Sequence, residues 1–142
     1  MMLRKIIDKA FEKAIESASM GDVPIGAVVF DWQTKDIISC AGNEVEYRKN
    51  PLAHAEMIAI NNALHILHTD RLDNCGIYTT LEPCTMCTGA ISHSRIRRVF
   101  FGAYQDLKEI KEYKPEEIYG GFSETKAQKL LQDFFHRLRN RE

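Results

Sequence analysis

His54, Glu56, Cys84 and Cys87 are the residues whose types and spacing could do chemistry together in this 142-residue chain. The two cysteines lie at i and i+3 within Pro83-Cys84-Thr85-Met86-Cys87. On one helical turn their thiols face the same side, as two thiolate ligands of a tetrahedral ion must. A helix N-terminus at that point also favours the thiolate form. His54 would add a nitrogen ligand. Three protein ligands leave a fourth position open to water, which separates a catalytic zinc site from a closed structural one. An ion of that kind makes its water acidic near neutral pH, and Glu56 is placed to move the protons such chemistry needs. On an ideal helix His54 and Glu56 point about 200° apart. The ion must therefore lie off the N-terminal end of their helix, with the glutamate reaching round to it.

Two plainer readings stand beside this one. Cys84 and Cys87 could be buried thiols and His54 a core histidine, the ordinary fate of each residue taken alone. The site could also be a structural zinc closed by a fourth ligand from Cys75, His65, His68 or His93, although the spacing singles out none of them. Cys40 and Cys75 otherwise read as small buried hydrophobes.

The elements that must carry these residues can be read from periodicity. Leu3, Ile6, Ile7, Ala10, Phe11, Ala14, Ile15 and Ala18 recur at three- and four-residue spacing among charged residues, which predicts an amphipathic helix ending at Gly21. The β-branched run 24–30 and the stretch 37–41 predict two strands joined as a hairpin. Asn50-Pro51 resembles a helix start, leading into a helix at 53–67 that is apolar on nearly every side. A strand at 76–80, a helix at 85–93 and a strand at 97–102 follow, with a short strand at 117–120. Ser123 is placed to cap a last helix whose apolar stripe is Leu130, Leu131, Phe134, Phe135 and Leu138. Strands alternating with helices predict an α/β sheet with right-handed crossovers.

The bulk composition narrows the class. Nineteen Lys and Arg against twenty Asp and Glu leave a net charge of −1, so any nucleic-acid contact is local and not a matter of bulk charge. The N-terminus alternates charged and apolar residues, unlike a secretory signal. Reduced thiols and a cytoplasmic location are the expectation. Apolar stretches are far shorter than the ~20 residues a bilayer requires, so no membrane role is expected. The length suits a single domain over 1–142, with no repeat or linker.

His54-Ala55-Glu56 with Pro83-Cys84-Thr85-Met86-Cys87 matches the His-x-Glu and Pro-Cys-x-x-Cys signature of the zinc deaminases of nucleobases. The chain as a whole resembles the cytidine-deaminase-like superfamily, and within it the bacterial tRNA-specific adenosine deaminases. Residues 22–29, Gly42-Asn43, Thr80 to Cys84, Gly89-Ala90-Ile91, His93 to Ile96, 98–103 and 130–135 carry the resemblance. It implies a three-layer α/β/α fold with a mixed sheet of about five strands, and one zinc ion per subunit held by His54, Cys84 and Cys87. It implies conversion of the wobble adenosine of tRNA to inosine, with Glu56 as proton shuttle. Asn43 would hydrogen-bond the target base, Pro24 and Val28 would line the pocket near the ribose, and Ala55 would touch the substrate. The resemblance also implies a homodimer acting on the tRNA anticodon arm, and Met86, Ala90 and Ile91 are candidates for its interface.

One segment departs from the family. Where an Asp, a Lys and a glycine-rich stretch usually follow the fourth strand, this chain has Ala103-Tyr104-Gln105-Asp106-Leu107-Lys108 and no glycine until Gly120. The C-terminal stretch 126–142 holds Lys126, Lys129, Arg137, Arg139 and Arg141 against Asp133 and Glu142. Arg137 and Arg139 are thus candidate phosphate contacts, although cations at a helix C-terminus also complement its dipole. The alternatives are a deaminase of free guanine or cytosine, or a catalytically silent zinc-containing RNA-binding module.

Overall fold

The computed structural model describes residues 3–105 and 115–140. Five strands form one mixed sheet in the order β2-β1-β3-β4-β5. Strand β1 (Gly26–Asp31) pairs antiparallel with both β2 (Ile37–Gly42) and β3 (Cys75–Leu81), while β4 (Arg98–Ala103) and β5 (Glu117–Tyr119) continue parallel to β3. The predicted hairpin is β1 and β2. Its turn is held by Asp31, whose Oδ1 accepts from the backbone N–H of Gln33 and Thr34, each at 2.9 Å.

Two apolar layers sandwich the sheet, as the α/β/α expectation requires. Ala27, Val29, Ile77 and Val99 meet Ala55, Ala59, Ile60 and Ala63 of helix α3 (Ala55–Leu67) and Ile91 of helix α4 (Thr85–His93). On the other face Val28, Phe30, Tyr78 and Phe100 meet Ile6 and Ala10 of helix α1 (Arg4–Ser19). Phe11 of α1 joins Ala103 and Ala127, the latter on helix α5 (Glu124–Arg139), in a third cluster beside them. A strand packed on both faces loses its alternation, which is why 24–30 reads as one unbroken apolar run. Trp32 stacks on Phe100 at 5.9 Å under Arg98 and Lys35, so its visible role is packing.

Helix α1 lies unusually close to the sheet because two cross-strand partners, Gly26 and Gly42, have no side chains. A Cβ on Gly26 would stand 1.8 Å from the carbonyl oxygen of Ala10, and one on Gly42 would stand 2.1 Å from Oγ of Ser17. Beyond Gly42 the chain turns into a short helix α2 (Val45–Arg48) that periodicity did not show.

Three expectations need correction. Asn50-Pro51 does not start a helix: Asn50 Oδ1 accepts from the N–H of Leu52 at 2.9 Å, closing a turn, and α3 begins at Ala55 with His54 in the N-cap position. Ser123 occupies the N-cap of α5, but in the left-handed region (φ 62°) and without a capping side-chain bond. The apolar stripe of α5 is not a buried one. Ala127 is its one buried residue, Leu130 packs against the third cluster, and Phe135 and Leu138 are each 42% exposed. The interface candidates also divide, since Ile91 is fully buried in the core while Met86 and Ala90 are half-buried. Most of the atypical loop from Tyr104 to Glu117 lies outside the described residues.

Candidate metal centre and cavity

His54 and Cys84 are both N-cap residues, of α3 and α4, and both are extended (φ −70°, ψ 149° and φ −72°, ψ 176°). Neither belongs to the helix it precedes, so the problem of His54 and Glu56 facing apart dissolves. The histidine stands off the helix end and the glutamate sits in its first turn. Cys87 lies one turn into α4. Nδ1 of His54 is 3.6 Å from Sγ of Cys84 and 3.5 Å from Sγ of Cys87. A tetrahedral zinc bonded at about 2.3 Å to sulfur and about 2.0–2.1 Å to nitrogen sets those atoms about 3.5–3.6 Å apart. The donor set therefore fits the ion in both chemistry and spacing. Among the described residues it is the group of three or more His, Cys, Asp or Glu residues whose ligand atoms could hold a metal.

The electrostatics agree. The thiol of Cys84 is pushed down to about 5, first because Cys87 donates a hydrogen bond to it, then through the backbone N–H groups of Cys87 and Met86 and the nearby His54. Cys87 is pushed up, first by that hydrogen bond to Cys84 and then by burial. With Cys87 as the donor and Cys84 as the acceptor, Cys84 is the more acidic of the two thiols.

Glu56 is 4% exposed. Burial, the largest influence, raises its carboxyl to about 6; the hydrogen bond from its own backbone N–H, the charge of His54 and the hydrogen bond from the Cys87 thiol oppose the rise, while the nearby Cys84 adds to it. A buried carboxyl near neutrality beside a cation site is what proton transfer at neutral pH requires.

His54 and Glu56 form one side of a cavity of about 250 Å³. Its other walls come from Asp22, Val23 and Ile25 before β1, Asn43 after β2, Val45 and Glu46 of α2, Leu81 at the end of β3 and Gln105 after β4. The cavity lies at the carboxyl ends of the parallel strands β3 and β4, where α/β sheets place their ligand sites. Asn43, buried at 5% exposure, donates from Nδ2 to Oδ1 of Asp22 at 2.9 Å.

The remaining expected contacts are placed differently. Val28 points to the opposite face of the sheet, into the layer with Ile6 and Ala10, and so cannot line this cavity; Val23 and Ile25 do so instead. Pro24 is buried between those two residues, and Ala55 packs into the core beneath α3; neither is among the cavity walls. Arg137 and Arg139 are exposed on the last turn of α5, also outside the cavity walls.

Sequence reasoning gave no role to Asp22, Glu82 or Gln105. Gln105 donates its backbone N–H to Glu82 Oε1 at 3.0 Å and its Nε2 to the Glu82 carbonyl at 2.8 Å, which fixes the cavity wall after β4. Asp22 could have been suspected as an acidic residue directly before an apolar strand, but nothing local shows what it holds.

Comparison with known proteins finds deaminases of similar sequence and fold. Residues 2–139 match the model of the MafB19-like deaminase family. A tRNA-specific adenosine deaminase of Rickettsia felis is 37% identical over 94% of this chain and 100% of its own length. A solved structure from studies of A-to-I editing by tRNA:A34 deaminases at the wobble position of transfer RNA superposes with a TM-score of 0.80 at 31% identity, covering 88% of this chain and 97% of that one. A guanine deaminase from Bacillus subtilis is also similar, with a TM-score of 0.66 at 38% identity over 70% of this chain and 63% of that one.

Proposed function

The chain belongs to the MafB19-like deaminase family, among its tRNA-specific adenosine deaminases, and we propose that it hydrolyses the wobble adenosine of tRNA to inosine, releasing ammonia. The observation that carries this reading is the buried Glu56 beside the His54, Cys84 and Cys87 cluster, with Glu56 and His54 lining one cavity. His54, Cys84 and Cys87 would hold one zinc ion per chain. When bound, the ion is a Lewis acid that makes a water molecule nucleophilic near neutral pH.

The chain's own residues supply the rest. Glu56 takes a proton from the attacking water and gives it to N1 of the adenine, so that the oxygen adds at C6 without charge building on the ring. Glu56 then carries the second proton to the C6 amine, which leaves as ammonia. The base must be turned out of its stack to enter so small a cavity. Asn43 receives it by hydrogen bonding, against the apolar walls Val23, Ile25 and Leu81.

Arg137 and Arg139 are proposed as phosphate contacts, and the molecule as a cytoplasmic homodimer that grips the anticodon arm. Tyr47 and Leu52, exposed close to the cavity wall of α2, offer apolar area to a partner subunit. No helix among the described residues is long and apolar enough to cross a membrane.

The similarity to a guanine deaminase favours one second reading, a free-base deaminase. Incubation with an anticodon stem-loop carrying the wobble adenosine, and separately with guanine, adenine and cytosine, decides between them. Inosine in the stem-loop with inert free bases is the expected result. Turnover of guanine alone supports the second reading, and zinc with no turnover of any substrate supports the silent RNA-binding module.

A further inference from the structure

Asp22 is fully buried at the turn that follows α1, and four N–H groups converge on its two oxygens. Oδ1 accepts from Val23 N at 3.0 Å and Asn43 Nδ2 at 2.9 Å, and Oδ2 accepts from Glu46 N at 2.9 Å and Tyr47 N at 3.1 Å. These donors come from two stretches of chain, the residue after Asp22 and the segment 43–47 after β2, and Val23, Asn43 and Glu46 all line the cavity that holds Glu56. One carboxylate therefore ties the segment before β1 to the segment after β2 at the cavity. It also serves α2 as a cap, since that helix has no side-chain cap bond of its own.

We propose that Asp22 is a positioning residue that fixes which edge of the Asn43 amide meets the base; the proposal rests on the deaminase reading above. Both oxygens of Asp22 act only as acceptors, so Asn43 must turn its NH₂ group towards them. The flipped amide would set carbonyl oxygen against carboxylate oxygen in a buried place, where an unmet polar contact is costly. One amide orientation is thereby selected. With one N–H committed to Asp22, Asn43 keeps its carbonyl oxygen and its second N–H for a ligand. An acceptor and a donor side by side match the N6 amine and N7 of adenine, the pairing by which asparagine reads that base. The main chain is held as well, because the Asn43 N–H donates to the Ile25 carbonyl at 2.9 Å.

The decisive test is a double-mutant cycle on kcat/KM for stem-loop deamination, using the parent, Asp22→Asn, Asn43→Ala and the combined variant. Asp22→Asn should lower kcat/KM by roughly 10- to 100-fold, as expected for a hydrogen bond to a charged group, with zinc content unchanged. In the Asn43→Ala background the same change should cost less than about threefold, because residues that act through one another are not additive. Asp22→Glu should restore part of the loss. Equal losses in both backgrounds would mean that Asp22 acts independently of Asn43, and would overturn the proposal. A second readout does not depend on turnover. In the zinc-loaded parent the two side-chain amide protons of Asn43 should be well separated by NMR and slow to exchange with solvent, and a rapidly exchanging, averaged pair would also overturn it. If the parent edits no stem-loop, the deaminase reading fails, while the NMR result still decides the role of Asp22.

Discussion

Nδ1 of His54 stands 3.5 Å from Sγ of Cys87 although 33 residues separate them, because each is placed by the start of a different helix. The two helix ends bring their partial positive charge to one point, which favours thiolate sulfur there. The purified protein should carry about one zinc per chain, and Cys87→Ser should reduce this to a small fraction, since a hydroxyl is a poor substitute for thiolate. Elemental analysis reads the result directly. A fully active protein without metal would remove the site from the account.

Glu56→Gln should keep the fold and the zinc yet lose inosine formation by about 10²- to 10⁴-fold, the range for a general acid–base group. Steady-state kinetics on the stem-loop provide the measurement. Turnover within a fewfold of the parent would show that another group carries the protons.

The pH dependence follows from the same side chain. Glu56 must be ionised to accept the first proton, and burial raises its carboxyl to about 6. Activity is then present above that value and falls as pH drops through it. A cation held beside it stabilises the carboxylate and moves the midpoint down, so the acid limb of kcat/KM should lie at or below about pH 6. An acid limb above pH 7 would mean that Glu56 is not the group being titrated.

Gly26→Ala tests how α1 is seated. The added methyl would meet the Ala10 carbonyl at 1.8 Å, and this is backbone that cannot rotate away. Overpacking of this kind costs about 1–3 kcal/mol, so thermal melting should show a Tm lower by several degrees, roughly 2–4 °C per kcal/mol for a domain of this size. An unchanged Tm would mean that α1 sits further from the sheet.

What the sequence could disclose depends on the range over which each residue acts. Helix α4 was legible to the residue, and so was the His54, Glu56, Cys84 and Cys87 set, because their signals are local spacings. Helix α2 was not, because the carboxylate that satisfies the N–H groups of Glu46 and Tyr47 is Asp22, 24 and 25 residues away. Asn50-Pro51 misled because an asparagine before proline closes a turn as readily as it caps a helix. Val28 was misplaced because β1 is buried on both faces, so its apolar run carries no sign of which side faces α1. The stripe on α5 has helical period, but period alone does not say whether a face is covered.

Arg137 and Arg139, proposed above as phosphate contacts, are exposed on the last turn of α5. Changing both to Ala should weaken stem-loop binding and flatten its salt dependence by roughly 0.7 log unit for each lost phosphate contact. Binding titrations across a range of salt concentrations give the slope. Parental affinity and slope in the double variant would place the RNA contact elsewhere.

Hydrolytic deamination of one tRNA adenosine is measured most directly by incubating the zinc-loaded protein with an anticodon stem-loop in heavy-oxygen water. Mass analysis of the nucleosides should show adenosine lost at the wobble position alone, with inosine carrying the heavy oxygen at C6 and ammonia released in equal amount. Adenosine left intact at that position, or inosine without the label, would contradict the account.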